Sequence, residues 1–258
     1  MTAQRRALVR RPAPILDRGI TTHIDRTPVD LALAERQWQG YVGALSDAGW
    51  DIVEVAPAAD CPDSVFVEDS VVMYGSLAVL TSPGADSRRD EIAGTAKAIA
   101  ELGYRSVAIE LPGTLDGGDV LKIGPQLYVG RGGRTNAEGV RQLRAALSPL
   151  GASVTAVPLS KALHLKSAVT ALPDGTVIGY TPVVDDPAFF PRYLAMPEEP
   201  GAHVVDLGEG RLLISAAAPR SAALVHDLGY TPVPVEISEF EKLEGCVTCL
   251  SVRLRETP

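Results

Sequence analysis

The order strand, strand, helix, strand recurs along this chain, and that recurrence restricts its fold more than any single motif does. Residues 69–110 read as two short β-forming runs, SVVMYG and LAVLTS, then a helix in DSRRDEIAGTAKAIAELG, then RSVAIE. Asp86 or Ser87 is placed to cap that helix, and Gly103 to end it in a left-handed conformation. Residues 118–158 repeat the order with DVLKIG, QLYVG, a helix opening at Thr135 or Asn136, and SVTAVPL. A looser copy runs from AVTALPDGTVIGY, a hairpin over Asp174-Gly175, through a short helical piece near DPAFFPRYL to HVVDL. Another has RLLIS, a helix in PRSAALVHDLGY, and TPVPVEI. The last is divided: TCLSVRL supplies one strand from the C-terminal side, while RALVRR, the helix LALAERQWQGYVGALSDAG and WDIVEVAP come from the N-terminal side.

Five units, one of them shared between the two ends of the chain, predict an α/β ring closed by its own termini. An open doubly wound sheet would alternate single strands with helices, whereas hairpins recur here. No linker or low-complexity stretch divides the sequence, so one domain over residues 1–258 is expected. The glycines of VGRGGRTN have neither the spacing of a dinucleotide fingerprint nor a following Walker lysine.

With 46% hydrophobic and 22% charged residues over 258 positions, the chain can bury a large core. A formal net charge of −8 with scattered arginines argues against nucleic acid and favours a cationic small molecule as guest. No run reaches the roughly 18 apolar residues of a membrane span, so neither a membrane nor a nucleic-acid partner is expected and the cytoplasm is the default. Three cysteines, at 61, 246 and 249, cannot form a closed disulfide framework and suit a reducing compartment. Cys246-x-x-Cys249 runs into β-formers instead of opening a helix, unlike a thioredoxin-type pair. His23, His164, His203 and His226 are each solitary, which speaks against a structural zinc site. A lone nucleophile or a plain buried thiol remains.

Polar clusters fall where units begin: FVEDS at 66–70, LDGGD at 115–119, LHLKS at 163–167 and VTCLS at 247–251. Each alone reads as a solvated turn, a tight hairpin, a core histidine or a small buried thiol. In a ring with a central axis their common phase brings them together. A thiol, an imidazole and several carboxylates would then share one pocket, the equipment for nucleophilic attack on a cationic carbon. A guanidinium carbon needs such help, because resonance makes it a poor electrophile. Asp69 and Asp116 would grip its nitrogens, and Cys249 would attack as a thiolate whose pKa the bound cation lowers. His164 would protonate the departing amine and then activate water, with Asp116 also able to orient the ring.

The strings PDSVFVEDS, PGADSRRDE, TLDGGDVL, GRTN, LHLKS and TCLSV, in this order and spacing, resemble the dimethylarginine dimethylaminohydrolases. These belong to the guanidine-modifying pentein superfamily, whose fold is a five-bladed α/β propeller of ββαβ modules with pseudo-fivefold symmetry. The resemblance covers nearly the whole chain and implies Cys249 as nucleophile, His164 as general acid and base, and Asp116 as its acidic partner. It also implies that Asp63, Glu68 and Asp69 hold the amine and guanidinium ends of the substrate, with Phe66 packed behind. Arg88, or its neighbour Arg89, and Arg134 would bind the α-carboxylate with their planar forks. Backbone carbonyls near Ile20 and Leu243 would add contacts, whereas Cys246 has no family role and reads as packing. The implied reaction is hydrolysis of Nω-methylated arginine to citrulline and a methylamine, with no metal or organic cofactor. A homodimer is the expected assembly, and the polar segment TTHIDRTPVD is a candidate cover. An arginine deiminase, or a binding protein for a cationic amino acid on the same scaffold, are the competing readings.

Overall fold

The computed structural model describes residues 5–256. In chain order its elements are β1 (Arg6–Val9), α1 (Leu31–Asp47), β2 (Asp51–Glu54), β3 (Val71–Tyr74), β4 (Leu77–Leu80), α2 (Glu91–Glu101), β5 (Arg105–Ala108), β6 (Val120–Ile123), β7 (Gln126–Arg131) and α3 (Ala137–Leu147). There follow β8 (Ser153–Pro158), β9 (Val169–Ala171), β10 (Val177–Gly179), β11 (Tyr193–Ala195), β12 (Val204–Gly208), β13 (Arg211–Ser215), α4 (Pro219–Asp227), β14 (Thr231–Val235), α5 (Ser238–Glu241) and β15 (Val252–Leu254).

The strands form five three-stranded sheets, β3-β4-β5, β6-β7-β8, β9-β10-β11, β12-β13-β14 and β15-β1-β2. In every sheet the first strand pairs antiparallel with the middle one, and the middle one pairs parallel with the third. A hairpin supplies the first pairing in four sheets and the two ends of the chain supply it in the fifth, while a crossover supplies the second, as parallel strands require. The ring closes where Leu8 of β1 pairs with Val252 of β15.

The core is not a single mass but five wedges between neighbouring blades. Val79 and Leu77 meet Leu127, Val129 and Leu143 in one wedge, and Leu207 and Leu213 meet Ala7, Trp38 and Leu45 in another. Each sheet is therefore covered on both faces by its neighbours, which accounts for inner strands such as VVM and LAV being buried throughout. The first strand of every sheet faces the axis: residues of β3, β6, β9, β12 and β15 together line a central cavity.

Three expectations are corrected. HVVDL does not complete the third unit; it opens the next blade as β12, and Tyr193–Ala195 is the third strand of the blade before it. That blade has no α-helix among the described residues, its crossover being carried by 3-10 turns such as Thr181–Val183 and Pro187–Phe189. Prolines at 182, 187 and 191 deny a helix its amide donors. In the second correction, α2 begins at Glu91 and not at Asp86 or Ser87, because Asp86–Arg88 form a 3-10 turn that points Arg88 inward. Gly103 does follow this helix with φ +86°. Finally, only Val252–Leu254 of TCLSVRL is a strand, the preceding residues being a turn.

Helix α3 opens with Asn136, whose side chain accepts from the Gly139 amide and also from Thr114 N. A Cβ at Gly139 would stand 2.0 Å from the Thr114 carbonyl oxygen. Alanine is favoured over glycine inside a helix by up to about 1 kcal/mol. Overpacking costs about 1–3 kcal/mol and should prevail where the obstacle is backbone tied on both sides. Gly139→Ala should lower the urea unfolding midpoint, while Gly43→Ala in α1, with nothing within 4 Å of its new methyl, should keep or raise it.

Candidate active site

The polar clusters occupy equivalent places in the ring. Turns at Val67–Ser70, Gly117–Asp119 and Leu165–Ser167 lead directly or nearly so into the inner strands β3, β6 and β9, and the turn holding Cys249 leads into β15. Such short turns are forced together at the axis, and their residues must be small where backbones meet. A Cβ on Gly117 would lie 2.0 Å from the Glu68 carbonyl oxygen, and one on Gly118 would lie 2.8 Å from His164 Nδ1. This explains the two glycines of LDGGD.

His164 is 3% exposed and its Nε2 lies 2.9 Å from Asp116 Oδ2, with Asp116 fully buried. The other oxygen of Asp116 accepts from Gly84 N at 2.8 Å, so the carboxylate is held from two sides. Nδ1 of His164 stands 3.8 Å from Asp69 Oδ1. Burial alone would depress the imidazole, but the Asp69 charge, the Asp116 hydrogen bond and the nearby Asp119 outweigh it and raise the pKa to about 9. Asp69 in turn is held far below the usual carboxylate range: burial opposes this, but His164, Arg88 and the Gly118 amide prevail.

Of the two neighbouring arginines, Arg88 lines the cavity. Its guanidinium is buried and bonds Asp69 at 2.6 Å, Glu91 at 2.8 and 2.9 Å, and the carbonyls of Asp63 and Phe66. Arg89 is turned outward to Asp86. Arg134 differs from Arg88, because its buried Nη1 has no hydrogen-bond partner and stands 3.7 Å from Asp116 Oδ2. An unpaired buried cationic donor is costly and fits an anionic guest.

A narrow cavity is lined by Ile20, Asp63, Phe66, Asp69, Arg88, Arg134, Leu163, His164, Leu243, Glu244, Gly245 and Cys249. Nine of the eleven residues singled out in the sequence meet there. Asp63 takes the Ile20 amide at 3.0 Å, and burial raises its carboxyl pKa. The Phe66 ring stands edge-on to Phe240, with 6.4 Å between centroids. Two residues depart from expectation. Asp116 lies behind the imidazole instead of on the cavity wall, so its contact is with the histidine and not with a guest. Glu68 faces the opposite way, accepting from Lys166 Nζ at 2.6 Å and from Thr248 Oγ1 at 2.9 Å.

Cys246 is more than filler, since its sulfur lies 3.2 Å from Cys249 Sγ and 3.3 Å from Thr248 Oγ1. The Cys249 thiol is pushed up by that contact, by burial, and by the negative charges around it, including Glu68 and Asp69. A cation brought against it would reverse the electrostatic part of this shift.

Asp69, Asp116 and His164 are close enough to share a metal ion. Their lone pairs are already engaged by Arg88, Gly84, Gly118 and one another, and two guanidiniums beside them oppose a further cation. Asp119 closes the LDGGD cluster but has no role in the sequence reading; it accepts from Thr135 Oγ1 at 2.5 Å and Leu165 N at 3.0 Å, its pKa raised by burial to about 7. Glu91 was equally unmarked, though an acid three residues beyond an arginine at a helix start is a usable signal. Glu244, with φ +59°, accepts from the amides of Thr22 and His23 and so ties the 21–30 segment to the cysteine turn.

Because the folded-state pKa of His164 exceeds its ordinary value of 6.5, its charge adds stability that is fully present below pH 6.5 and is lost as pH rises through about 9. NMR titration of the imidazole should find it protonated at pH 7.5. A midpoint at or below 6.5 would refute the electrostatic account, and Asp69→Asn should move the midpoint down.

No protein-family model matches the chain. It is 64% identical over 98% of both chains to the N(G),N(G)-dimethylarginine dimethylaminohydrolase of Streptomyces coelicolor, and 36% identical to that of Pseudomonas aeruginosa over 95% of this chain and 98% of the relative. The crystal structure of a Pseudomonas aeruginosa dimethylarginine dimethylaminohydrolase variant complexed with citrulline superposes with a TM-score of 0.91 at 34% identity, covering 98% of this chain and 100% of that one. A cyanobacterial arginine dihydrolase domain, at 19% identity and TM-score 0.87 over 98% of each chain, shares the five-bladed α/β propeller fold. With identity of this extent along nearly its whole length, the chain belongs to the dimethylarginine dimethylaminohydrolase family.

Proposed function

We infer that the protein hydrolyses Nω-methylated L-arginine to L-citrulline and a methylamine. The observation that carries this is one cavity in which a thiol, a protonated imidazole, carboxylates and an unpaired guanidinium donor meet. Asp63 and Asp69 face the cationic groups of the substrate, and Arg134 meets its α-carboxylate, with at most one further N–H from Arg88. Ile20, Phe66 and Leu243 complete the wall. Glu68 acts from beneath, through Thr248 and Lys166.

Binding of the guanidinium lowers the pKa of the Cys249 thiol, whose proton passes to water as the substrate enters, and the thiolate attacks the central carbon. The C–N bond to the methylated nitrogen then breaks as the His164 imidazolium donates its proton to that amine, leaving a thiouronium on sulfur. Neutral His164 takes a proton from water, hydroxide adds to the carbon, the C–S bond breaks, and citrulline leaves with the thiolate restored. Asp116 keeps the ring oriented through both steps.

The cavity is too narrow for an amino acid unless it opens, and the 21–30 segment latched by Glu244 is the element we expect to move. Residues 1–258 act in this reading as one catalytic domain. Three free, buried cysteines favour a reducing cytoplasm. A homodimer is the proposed assembly, to be read by analytical ultracentrifugation.

Cys249→Ser should abolish turnover of asymmetric dimethylarginine with the melting curve preserved. His164→Ala should abolish it with the circular dichroism spectrum kept but the melting temperature lowered, because Asp69 and Asp116 lose their partner. Brief incubation of the wild type should give a covalent adduct on Cys249 by mass spectrometry. Near-normal rates in either variant would remove the mechanism. Arg134→Ala should raise KM for the free amino acid by at least about tenfold, the scale of one lost charge-assisted pair, and hardly change it for a substrate lacking the α-carboxylate. Equal losses on both substrates would reject the clamp. Citrulline release from unmethylated arginine, measured in parallel, should be far slower than from dimethylarginine.

A further inference from the structure

The larger space in the molecule is not the catalytic cavity. On the other side of the Glu68–Lys166 pair a second cavity of about 450 Å³ runs along the axis, lined by the inner strands of all five blades. It is separate from the substrate cavity, since Glu68, Gly117, Lys166 and Thr248 line its inner end while Cys249 and His164 line only the other space.

Its charges are uneven. Lys122 of β6, Lys166, Arg253 of β15 and Arg255 reach it, against Glu68, Asp206 and Glu256. Lys166 is bonded to Glu68, and Arg255 to Asp206. The other two cations have no carboxylate at hydrogen-bond distance: Lys122 donates to the Met73 carbonyl, and Arg253 to Ser251, with Glu68 no nearer than 3.8 Å. Lys122 is an exposed side chain, open to water through the cavity, and the crowding of protein around it together with the like charges of Lys166 and Arg253 pushes its ammonium down. Cations gathered in a walled space repel one another until an anion enters.

We propose that this axial cavity binds a small phosphate-bearing anion, with the phosphate between Lys122 and Arg253. A point-charge ammonium and a planar guanidinium fork are the two side chains that phosphate recognition draws on most. The volume exceeds that of a bare phosphate and lies in the range of pockets that hold whole metabolites, so the phosphate has room for an organic substituent. The assignment does not depend on the identity of the substrate at the other end of the axis.

Isothermal titration calorimetry at pH 6.5 in low-salt buffer tests it, with inorganic phosphate and glycerol phosphate as probes. We expect saturable binding of one anion per chain, at least tenfold weaker in Lys122→Gln and in Arg253→Gln and unchanged in Arg134→Ala. Tighter binding of glycerol phosphate than of inorganic phosphate identifies a phosphorylated metabolite as the occupant; the reverse order identifies free phosphate. Absence of saturable binding in the wild type, binding that survives both axial substitutions, or loss in Arg134→Ala, which would put the anion in the substrate cavity, overturns the proposal. Circular dichroism melting reports that each variant is folded, and dimethylarginine turnover does so for Lys122→Gln and Arg253→Gln. If Arg253→Gln does not fold, Lys122→Gln alone decides, because among the described residues the hydrogen bond it gives up is to a backbone carbonyl.

Discussion

A guanidinium sealed from water organises the acidic half of the catalytic cavity. Arg88 joins two carboxylates and two backbone carbonyls, drawn from the turn before β3 and from the first residue of α2. Breaking a buried pair from one side costs roughly 3–5 kcal/mol, because the abandoned charge has no solvent to turn to. With Asp69 so held, its second oxygen is free to fix the Gly118 amide and to face His164. The proton on the imidazole thus depends on an arginine that need not touch the guest. The same bonds explain why the chain makes a 3-10 turn at Asp86–Arg88 before starting α2: a helix begun at Asp86 would have to carry Arg88 elsewhere.

The ring makes this convergence inexpensive in sequence terms. Each blade contributes one turn at the same level of the axis, so residues 69, 116, 164 and 249 become neighbours without any long excursion of the chain. Wedge cores between blades hold those turns in place, and inner strands with small or β-branched residues let the backbones approach. One side of the axis gathers acids around a thiol, and the other gathers cations around open space. Glu68 and Lys166 form the partition, and Glu68 also reaches Thr248 beside the cysteine pair.

What the sequence disclosed and what it withheld divide along physical lines. The blade pattern was legible because strand alternation, helix caps such as Asn136 and the left-handed Gly103 are local signals. The assignment of HVVDL to the wrong blade came from a crossover of 3-10 turns, which has no helical period to mark it. Phe66, Asp69, Leu163, His164 and Cys249 were visible through their phase in the repeat, whereas Ile20, Asp63, Arg88, Arg134 and Leu243 were implied only by the family resemblance. The direction of a side chain was not: Glu68 and Asp69 are adjacent, and consecutive residues of a tight turn leave on opposite sides, one to each cavity. Asp119 and Glu91 look in sequence like surface acids, and only their burial among donors from distant segments shows otherwise. The meeting of the Cys246 and Cys249 sulfurs likewise depends on the turn that no propensity specified.

Closure of the ring gives the sulfur an exposed position in another sense. Cys249 stands three residues ahead of β15, the strand whose pairing with β1 completes the blade shared by the two ends of the chain. The seam consists of three paired residues, Arg6 with Leu254, Ala7 with Arg253 and Leu8 with Val252. If those rungs part, the turn carrying the thiol loses its anchor while four blades keep theirs. Loss of activity on warming or in mild denaturant would then precede loss of secondary structure, and the enzyme would report its own unzipping.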